Sequence, residues 1–413
     1  MQILVLLVPV FFGLMGFAVD LGRMYLIRGE LRTAAEGMAL ASASRLIGTD
    51  ASTVDAGSAS RLLVETGSGY GNKYDFGSLT IGESNGFLNS EIAEPSYWGT
   101  AGEAIGDGNV TSGNSEVGGS LAKHVRIELM GEAPLIFWRF LSLGQEGKVA
   151  VRVRSAAGVS APLCTACGTE PIAIAPLDAT DTTNFGFTTN QRYTFGYSCT
   201  GNPIPQPIAG AAPRLPYVIL NRSNDQLTVL ADDSQQLYRA GAQGLIPSTT
   251  QARACFSVNT TESVWANATA LPCNANVVQT TVTAYLCGLA SRMDNSQAQG
   301  CTNIPDVDTL TTLYQPDTDL TDLDDYAGYT GNTRRILTVA IVDLIDATAT
   351  GAMTVLGFRQ FLLAPVANTA GIAPNDANGR YVALYLGSVM PLKQGRMGDC
   401  QISSGPGKVV LHR

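Results

Sequence analysis

The first 19 residues form an almost unbroken apolar run, and no turn signal separates it from the amphipathic helical pattern that follows. The run reads MQILVLLVPVFFGLMGFAV, and Gln2 is its only strongly polar side chain before Asp20. A helix of about 19 residues, rising 1.5 Å per residue, is roughly 28 Å long, which is about the thickness of a bilayer core. The chain therefore begins in a membrane or in an apolar environment that replaces one.

A cleaved secretory signal peptide is the alternative interpretation of this run. Such a peptide has a charged front region, a shorter apolar stretch and a small-residue cleavage site, whereas no Lys or Arg precedes Asp20 here. Beyond Asp20, apolar positions such as Tyr25, Ile27 and Leu31 keep helical spacing. We therefore predict one retained helix over residues 1–48, which ends at Gly48.

Two kinds of protein use a helix whose first half is apolar and whose second half is amphipathic. One is a membrane-anchored protein with an extracytoplasmic domain. The other is a pilin-like subunit, in which the apolar half leaves the bilayer and packs with copies of itself in a filament core. The residues that we assign to this membrane or assembly surface are Leu4, Leu7, Pro9, Phe11, Phe12, Leu14, Phe17, Val19, Asp20, Arg23 and Tyr25.

Asp20 and Arg23 mark the end of the apolar run. They lie three residues apart, so they can pair on one helix face where the helix leaves hydrocarbon. The alternative is a solvated ion pair, which contributes roughly a few tenths of a kcal/mol to stability, as exposed ion pairs do. Tyr25 would either anchor at the headgroup level or pack on the globular part. Pro9 removes one helical hydrogen bond, so a kink is expected there.

Composition indicates an exported, β-rich protein. Charged residues make up only 15% of the 413, and the 44 Gly residues are accompanied by many Thr, Ser and Asn. The net charge of −9, without a stripe of Lys and Arg, argues against a nucleic-acid partner. We predict an α+β fold with an N-terminal helix (1–48), a small strand-helix-strand domain (49–160) and a β-rich, disulfide-stabilised extracytoplasmic domain (161–413).

The expected strands and helices follow from local patterns. Residues 53–66 look like a short second helix; HVRIELM and VAVRVR alternate as half-buried strands, and Pro134 is expected to open a compact helix, PLIFWRFLSLG, between them. The candidate strands of the last domain are PIAIAPL, YTFGYS, YVILNR, QLTVLA, ARACFSV, RRILTVAIVDLI, AMTVLGFRQFLLAPV and RYVALYLGSVM.

All eight cysteines lie beyond residue 160. An even number on the far side of a membrane segment is typical of disulfides in an oxidising compartment. Connectivity does not follow from sequence; the simplest local pairs are Cys255 with Cys273 and Cys287 with Cys301, because short loops close most easily. The candidates are Cys164, Cys167, Cys199, Cys255, Cys273, Cys287, Cys301 and Cys400.

Cys164 and Cys167 form a CxxC motif, which in other proteins can bind zinc, attach a c-type haem or act as a redox pair. A zinc site needs a second ligand pair at suitable spacing, which does not follow. Attachment of a c-type haem needs His after the second Cys, where this chain has Gly168. A thioredoxin-like redox pair should open a helix, whereas this one follows a strand-like segment. The motif therefore favours structural disulfides.

An acidic segment is the one candidate metal site. Carboxylates such as Asp317, Asp319, Asp322 and Asp324, in DTDLTDLDD, can hold calcium, although the EF-hand order is absent. A solvated acidic loop is the alternative. Apart from calcium we expect no cofactor.

A catalytic function has little support in the sequence. His124 and His412 are the only histidines, and we expect both to be plain surface residues. P-loop, dinucleotide-binding and HExxH motifs are missing from the sequence. We therefore predict that the protein is not an enzyme.

Residues 7–46 resemble the N-terminal segment of TadE-like and TadG-like proteins of tight-adherence (Tad, or Flp) pilus systems. In that family an apolar segment with an internal Pro leads into a V-D-x-G-R-x-Y motif and then an Ala-rich helix. Here the motif is carried by Val19, Asp20, Gly22, Arg23 and Tyr25, and the Ala-rich helix covers residues 33–43.

The resemblance implies a structural subunit of a Tad-like filament. Its partners would be copies of itself or other pilins through the first helix, the Tad-type assembly machinery, and the inner membrane before assembly. The helix would anchor the chain in the cytoplasmic membrane with its bulk outside, and the polymer would lie at the cell surface. The alternative is a membrane-anchored pilus-assembly factor or adhesin that does not polymerise.

Overall fold

The computed structural model divides the chain into two compact units. The first contains Met1–Val159 and Val409–Arg413, and the second contains Ser160–Lys408. The sequence-based division placed the C-terminal residues in the last domain; they belong instead to the first unit, because Val409–His412 pairs with a strand there. The structure describes residues 2–65, 91–92, 95–106, 117–135, 137, 148–198, 212–220, 255–258, 264–266, 280–293, 301, 316–321, 326–345, 351–365, 372–374, 376, 378–400 and 402–412.

The first unit combines helices with an antiparallel sheet. Its described helices are α1 (Gln2–Ala43), α2 (Asp50–Glu65) and α3 (Ala101–Ile105). Its strands are β1 (Glu91–Ile92), β2 (Ser96–Trp98), β3 (His124–Pro134), β4 (Lys148–Val159) and β14 (Val409–His412). The sheet order is β1-β3-β4-β14, and β2 also pairs with β3.

The second half of α1 packs on one face of this sheet. Its buried positions recur at helical spacing, so they form a continuous stripe. Gly131 of β3 gives Leu31 room, since a Cβ there would lie 3.3 Å from Leu31 Cδ1. The stripe comprises Ile27, Leu31, Ala34, Ala35, Met38, Ala39 and Ala43, and the sheet contributes Val125, Ile127, Leu129, Ala133 and Ala157.

The second unit is built around a closed barrel of six strands. The strands are β6 (Ile172–Ile174), β7 (Arg192–Tyr197), β8 (Arg214–Ile219), β10 (Ile336–Val342), β11 (Val355–Leu363) and β12 (Tyr381–Gly387). Their order around the barrel is β10-β11-β12-β7-β8-β6, and the β10–β6 and β7–β8 pairs are parallel while the others are antiparallel.

Aromatic side chains fill the inside of the barrel. Alternate residues of each strand belong to one core cluster, as strand geometry requires. The Phe195 and Tyr381 rings stack with centroids 4.8 Å apart. A helix that the sequence patterns missed, α4 (Thr280–Ala290), adds Tyr285, whose hydroxyl lies 3.1 Å from that of Tyr381. The barrel interior is therefore a packed core.

A buried ion pair lies in the same unit. Arg292 Nη2 donates to Glu170 Oε1, and neither side chain is exposed to solvent. Burial raises the pKa of Glu170 to about 7, against the opposing charge of Arg292. The backbone places both residues: the Glu170 N–H donates to Thr338 O at 2.7 Å, and the Asp317 N–H donates to Arg292 O at 2.7 Å.

Disulfides cross-link the second unit. Cys287 pairs with Cys301, as the short-loop argument predicted. Cys255 pairs with Cys167 and not with Cys273, so that prediction was wrong. The reason is that β5 (Thr165–Cys167) and β9 (Cys255–Ser257) are adjacent strands with Cys167 opposite Cys255. Cys164 pairs with Cys400 near β13 (Gly395–Arg396), so the two cysteines of the CxxC motif are bonded to distant partners.

The predicted α+β class is confirmed: a long apolar N-terminal helix precedes mixed helices and sheets, with disulfides in the β-rich C-terminal region. Pro134 was expected to open a helix but is the last residue of β3. The strand predicted for QLTVLA, most of the helix predicted over residues 134–144, and Cys199 and Cys273 lie outside the described residues.

Candidate functional site

The first half of α1 is an apolar surface that the chain does not cover. Its large side chains are about 60% exposed: Phe11 59%, Phe12 67%, Leu14 60% and Phe17 60%. Apolar patches of this kind mark a membrane or protein interaction site, because leaving them in water is unfavourable. Within the described residues, α1 is the one helix that is long and apolar enough to cross a membrane.

The two halves of α1 form one helix. It is assigned continuously from Gln2 to Ala43, through Pro9 and past Asp20. The buried stripe of the second half packs against the sheet, and the apolar half is the preceding part of the same helix. The globular unit and the exposed apolar surface are therefore connected by helix and not by a linker.

Asp20, at the junction of the two halves, is buried at 4% exposure. Its Oδ2 accepts a hydrogen bond of 3.1 Å from the backbone N–H of Phe137. Four residues earlier, Gly16 is also buried, and a Cβ there would lie 2.6 Å from Phe137 Cγ. Asp20 thus binds the segment that follows β3, and Gly16 admits the Phe137 ring against the helix.

The other predicted helix residues are distributed as follows. Val19 is 47% exposed, Tyr25 is 70% exposed and Arg23 is half-buried. The exposure of Tyr25 leaves its ring free of the globular core. The side chains of Leu4, Leu7 and Pro9 lie outside the described residues. Sequence reasoning missed Phe137 as a partner of the helix; the aromatic run PLIFWRFL was the available signal.

In the described part of the acidic segment, the carboxylates accept hydrogen bonds from neighbouring groups of the protein. Asp317 Oδ2 accepts from the Tyr329 hydroxyl at 2.6 Å and from the Arg335 N–H at 2.8 Å. Burial alone would raise the pKa of Asp319, but hydrogen bonds from Thr321 and Thr330 hold it below its ordinary value. Asp322 and Asp324 lie outside the described residues. Calcium binding stays a prediction.

The histidines are not plain surface residues, which corrects that expectation. His124 in β3 is 7% exposed, and its ring centroid lies 5.0 Å from that of the half-buried His412 in β14. Gly158 of the intervening β4 makes room, because a Cβ there would collide with the His124 ring. Burial, and then His412, lower the pKa of His124 from 6.5 to about 4; Lys123 also lowers it, while Gly99 and Glu103 raise it.

We expect the first unit to lose stability in mild acid because of His124. Its pKa is depressed on folding, so the unfolded chain binds more protons below 6.5 and stability falls as pH drops towards 4. The loss should be about 3 kcal/mol at pH 4. Hydrogen exchange of the β3 and β4 amides at pH 7 and pH 4 measures it, with His124→Asn as the comparison. An equal acid loss in that variant would contradict the assignment.

Residues 1–45 match the family described as Putative Flp pilus-assembly TadE/G-like. The resemblance drawn from the V-D-x-G-R-x-Y motif is thereby confirmed. No curated protein and no solved structure matches the chain. The N-terminal match associates the protein with Tad pili and indicates a structural or assembly role. The apolar helix and the disulfides fit a membrane-anchored extracytoplasmic protein of such a system.

Proposed function

We propose that this protein is a structural subunit of a Tad-like surface filament, which assembles through the first half of α1. The observation that carries the proposal is the contiguous, exposed apolar surface around Phe11, Phe12, Leu14 and Phe17. In the membrane this surface is covered by lipid, and in a filament it would be covered by the same surface of neighbouring copies. Its mechanism is packing, stabilised by burial at about 25 cal/mol per Å².

The continuity of α1 supports a role in assembly. Because one helix joins the apolar half to the sheet, packing the apolar halves of neighbouring copies would also set the spacing of their globular units. A flexible tether would serve anchoring equally well but would leave that spacing undefined. Disulfides in the second unit suit display in an oxidising compartment.

A second candidate is a membrane-anchored assembly factor or adhesin that never polymerises. The contact of Phe137 with Gly16 favours it, because this contact occupies one side of the apolar half and leaves less of the helix for neighbouring copies. In this case lipid alone covers the exposed apolar side chains.

Fractionation of cells that express the protein distinguishes the two candidates. Material sheared from the cell surface is compared with the membrane fraction by intact mass and by peptide sequencing across residues 1–30. We expect chains that retain the apolar segment in the sheared fibres. Retention of all such chains in the membrane fraction would contradict polymerisation and favour the anchored factor.

A further inference from the structure

The two histidines of the chain meet in the first unit. His124 is the first residue of β3 and His412 is the last residue of β14, so they are 288 positions apart by their numbering. Their ring centroids nevertheless lie 5.0 Å apart, with the ring planes inclined at 61°. The strand between them, β4, makes room for the His124 ring at Gly158. The return of β14 to this sheet therefore brings the chain's entire imidazole content to one place.

Each ring has a nitrogen atom that is buried without a partner. Among the described residues, His124 Nδ1 and His412 Nε2 have no hydrogen-bond partner. Such buried polar atoms are rare, because leaving them unsatisfied costs free energy. A hydrogen bond to the Gly99 backbone engages His124, and since Nδ1 has no partner, that bond belongs to Nε2. Metal-binding histidines have this arrangement: one nitrogen is held by the protein and the other is left to the metal.

The separation of the two rings fits a bridging metal ion. Imidazole nitrogen is a preferred ligand of Zn²⁺ and of related divalent transition metals. Zn–N bonds of about 2.0 to 2.1 Å run in line with the ring centres, so a tetrahedral ion would place two imidazole centroids roughly 5 Å apart. The centroids of His124 and His412 are at that separation. Water can fill the two remaining tetrahedral positions, since His412 is only half-buried.

A link at this position would secure the C-terminal strand. Disulfides cross-link the second unit, whereas the first unit contains no cysteine, because all eight lie between residues 164 and 400. In the described sheet, β14 is an edge strand of four residues that pairs with β4. A bridge from His124 to His412 closes a loop that contains the whole second unit. Metal links that close long loops restrict the unfolded chain most.

We propose that His124 and His412 form a binding site for a divalent transition-metal ion of the Zn²⁺ class, which fastens β14 to β3 across β4. The bound ion does in the first unit what disulfides do in the second. It stabilises the sheet on which the second half of α1 packs. The site requires neither polymerisation nor a membrane.

Calorimetric titration with Zn²⁺ tests the site. Untagged full-length protein is used in detergent micelles, treated with chelator and dialysed, because a histidine tag would add ligands. Wild type is compared with His124→Asn and His412→Asn, and Mg²⁺, which prefers oxygen ligands, is the control ion. We expect about one Zn²⁺ per wild-type chain and an affinity at least about tenfold lower in each variant. Absence of saturable Zn²⁺ binding to wild type, or equal affinity in both variants, would overturn the proposal.

Hydrogen exchange provides a readout of the link itself. At about a hundred times its dissociation constant, Zn²⁺ should slow exchange of the β14 and β4 amides by up to about a hundredfold. Mg²⁺ should not slow it. His412→Asn, a change at a half-buried strand end, should keep the metal-free exchange pattern and lose the response to Zn²⁺. This variant keeps the test valid if the buried His124→Asn fails to fold. A Zn²⁺ response that persists in His412→Asn would contradict the proposed link.

Discussion

Leu14→Glu should abolish both membrane retention of the protein and its appearance in sheared fibres. Leu14 is 60% exposed in the middle of the apolar surface, so a charge there lies mostly outside the folded unit. A carboxylate placed within a membrane helix costs about 2.5 to 3.5 kcal/mol, which shifts insertion by roughly a hundredfold. In a filament the same charge would be buried between helices without a partner. Quantitative immunodetection in the sheared, membrane and soluble fractions measures the effect.

Leu62→Glu is the matched control. Leu62 lies on α2 and is exposed to the same 60%, but it is outside the apolar half of α1. Wild-type amounts of this variant are expected in both the membrane and the sheared fraction. If Leu14→Glu produced normal filaments, assembly through the apolar half would be excluded. If the Leu14→Glu variant remained in membranes but was absent from the sheared fraction, the charge would disrupt packing between copies more than it disrupts membrane insertion.

Arg292→Met should lower the free energy of unfolding of the second unit by about 3 to 5 kcal/mol, the usual cost of breaking a buried ion pair. The substitution leaves Glu170 fully buried without its cationic partner. It also removes the bond from Arg292 Nη1 to Arg334 O. Part of the cost is recovered if Glu170 takes up a proton, since burial raises its pKa to about 7 in the intact pair and loss of Arg292, which lowers this pKa, raises it further. Urea unfolding of the disulfide-intact protein at pH 8 measures the loss that remains after this proton uptake.

The control for this prediction is Arg380→Met. Arg380 pairs with Asp376 at 2.7 Å, but its side chain is 26% exposed, so the loss should be about 1 kcal/mol or less. A double variant, Glu170→Gln with Arg292→Met, removes both charges and should recover a large part of the stability lost in Arg292→Met. A loss below about 1 kcal/mol in Arg292→Met would show that the pair is not a source of stability in this unit.

The first helix was predictable because its information is local. An uninterrupted apolar run followed by helical spacing specifies α1 without knowledge of the rest of the chain. The different surroundings of its two halves were also predictable, since the apolar half lacks polar positions that could face water. What the run does not reveal is its partner at Gly16. That contact depends on Phe137, which is 121 positions away by the numbering of the two residues.

Contacts that depend on sheet register could not be predicted. Cys167 and Cys255 are 88 residues apart, and they meet only because β5 and β9 are neighbours. Loop-closure entropy favours nearby cysteines, but the pairing of β5 with β9 places this distant pair opposite one another. Loop-closure entropy does account for the pair of Cys287 and Cys301, which are 14 residues apart and were predicted correctly.

His124 was expected at the surface because the second face of its sheet was assumed to be exposed to water. Alternation in HVRIELM assigns Val125 and Ile127 to the core and His124 and Arg126 to the opposite side, which was expected to face water. That side is covered as well: Arg126 is 2% exposed and lies 4.6 Å over the Trp98 ring. Arg126 also donates to backbone carbonyls of Glu103, Ala104 and Gly106, which end α3. Alternation identifies two faces but does not say what covers each.

The return of β14 to the first unit makes the barrel-containing unit a domain insertion. Both of its ends lie together, since the Ser160 N–H donates to Lys408 O at 2.8 Å. Chain segments whose ends meet can be lengthened, shortened or exchanged without unravelling the host domain. The second unit can therefore change in size or be replaced while α1 and the sheet of the first unit keep their contacts. Removing β14 would therefore take a strand from the sheet of the first unit and leave the strands of the second unit in place.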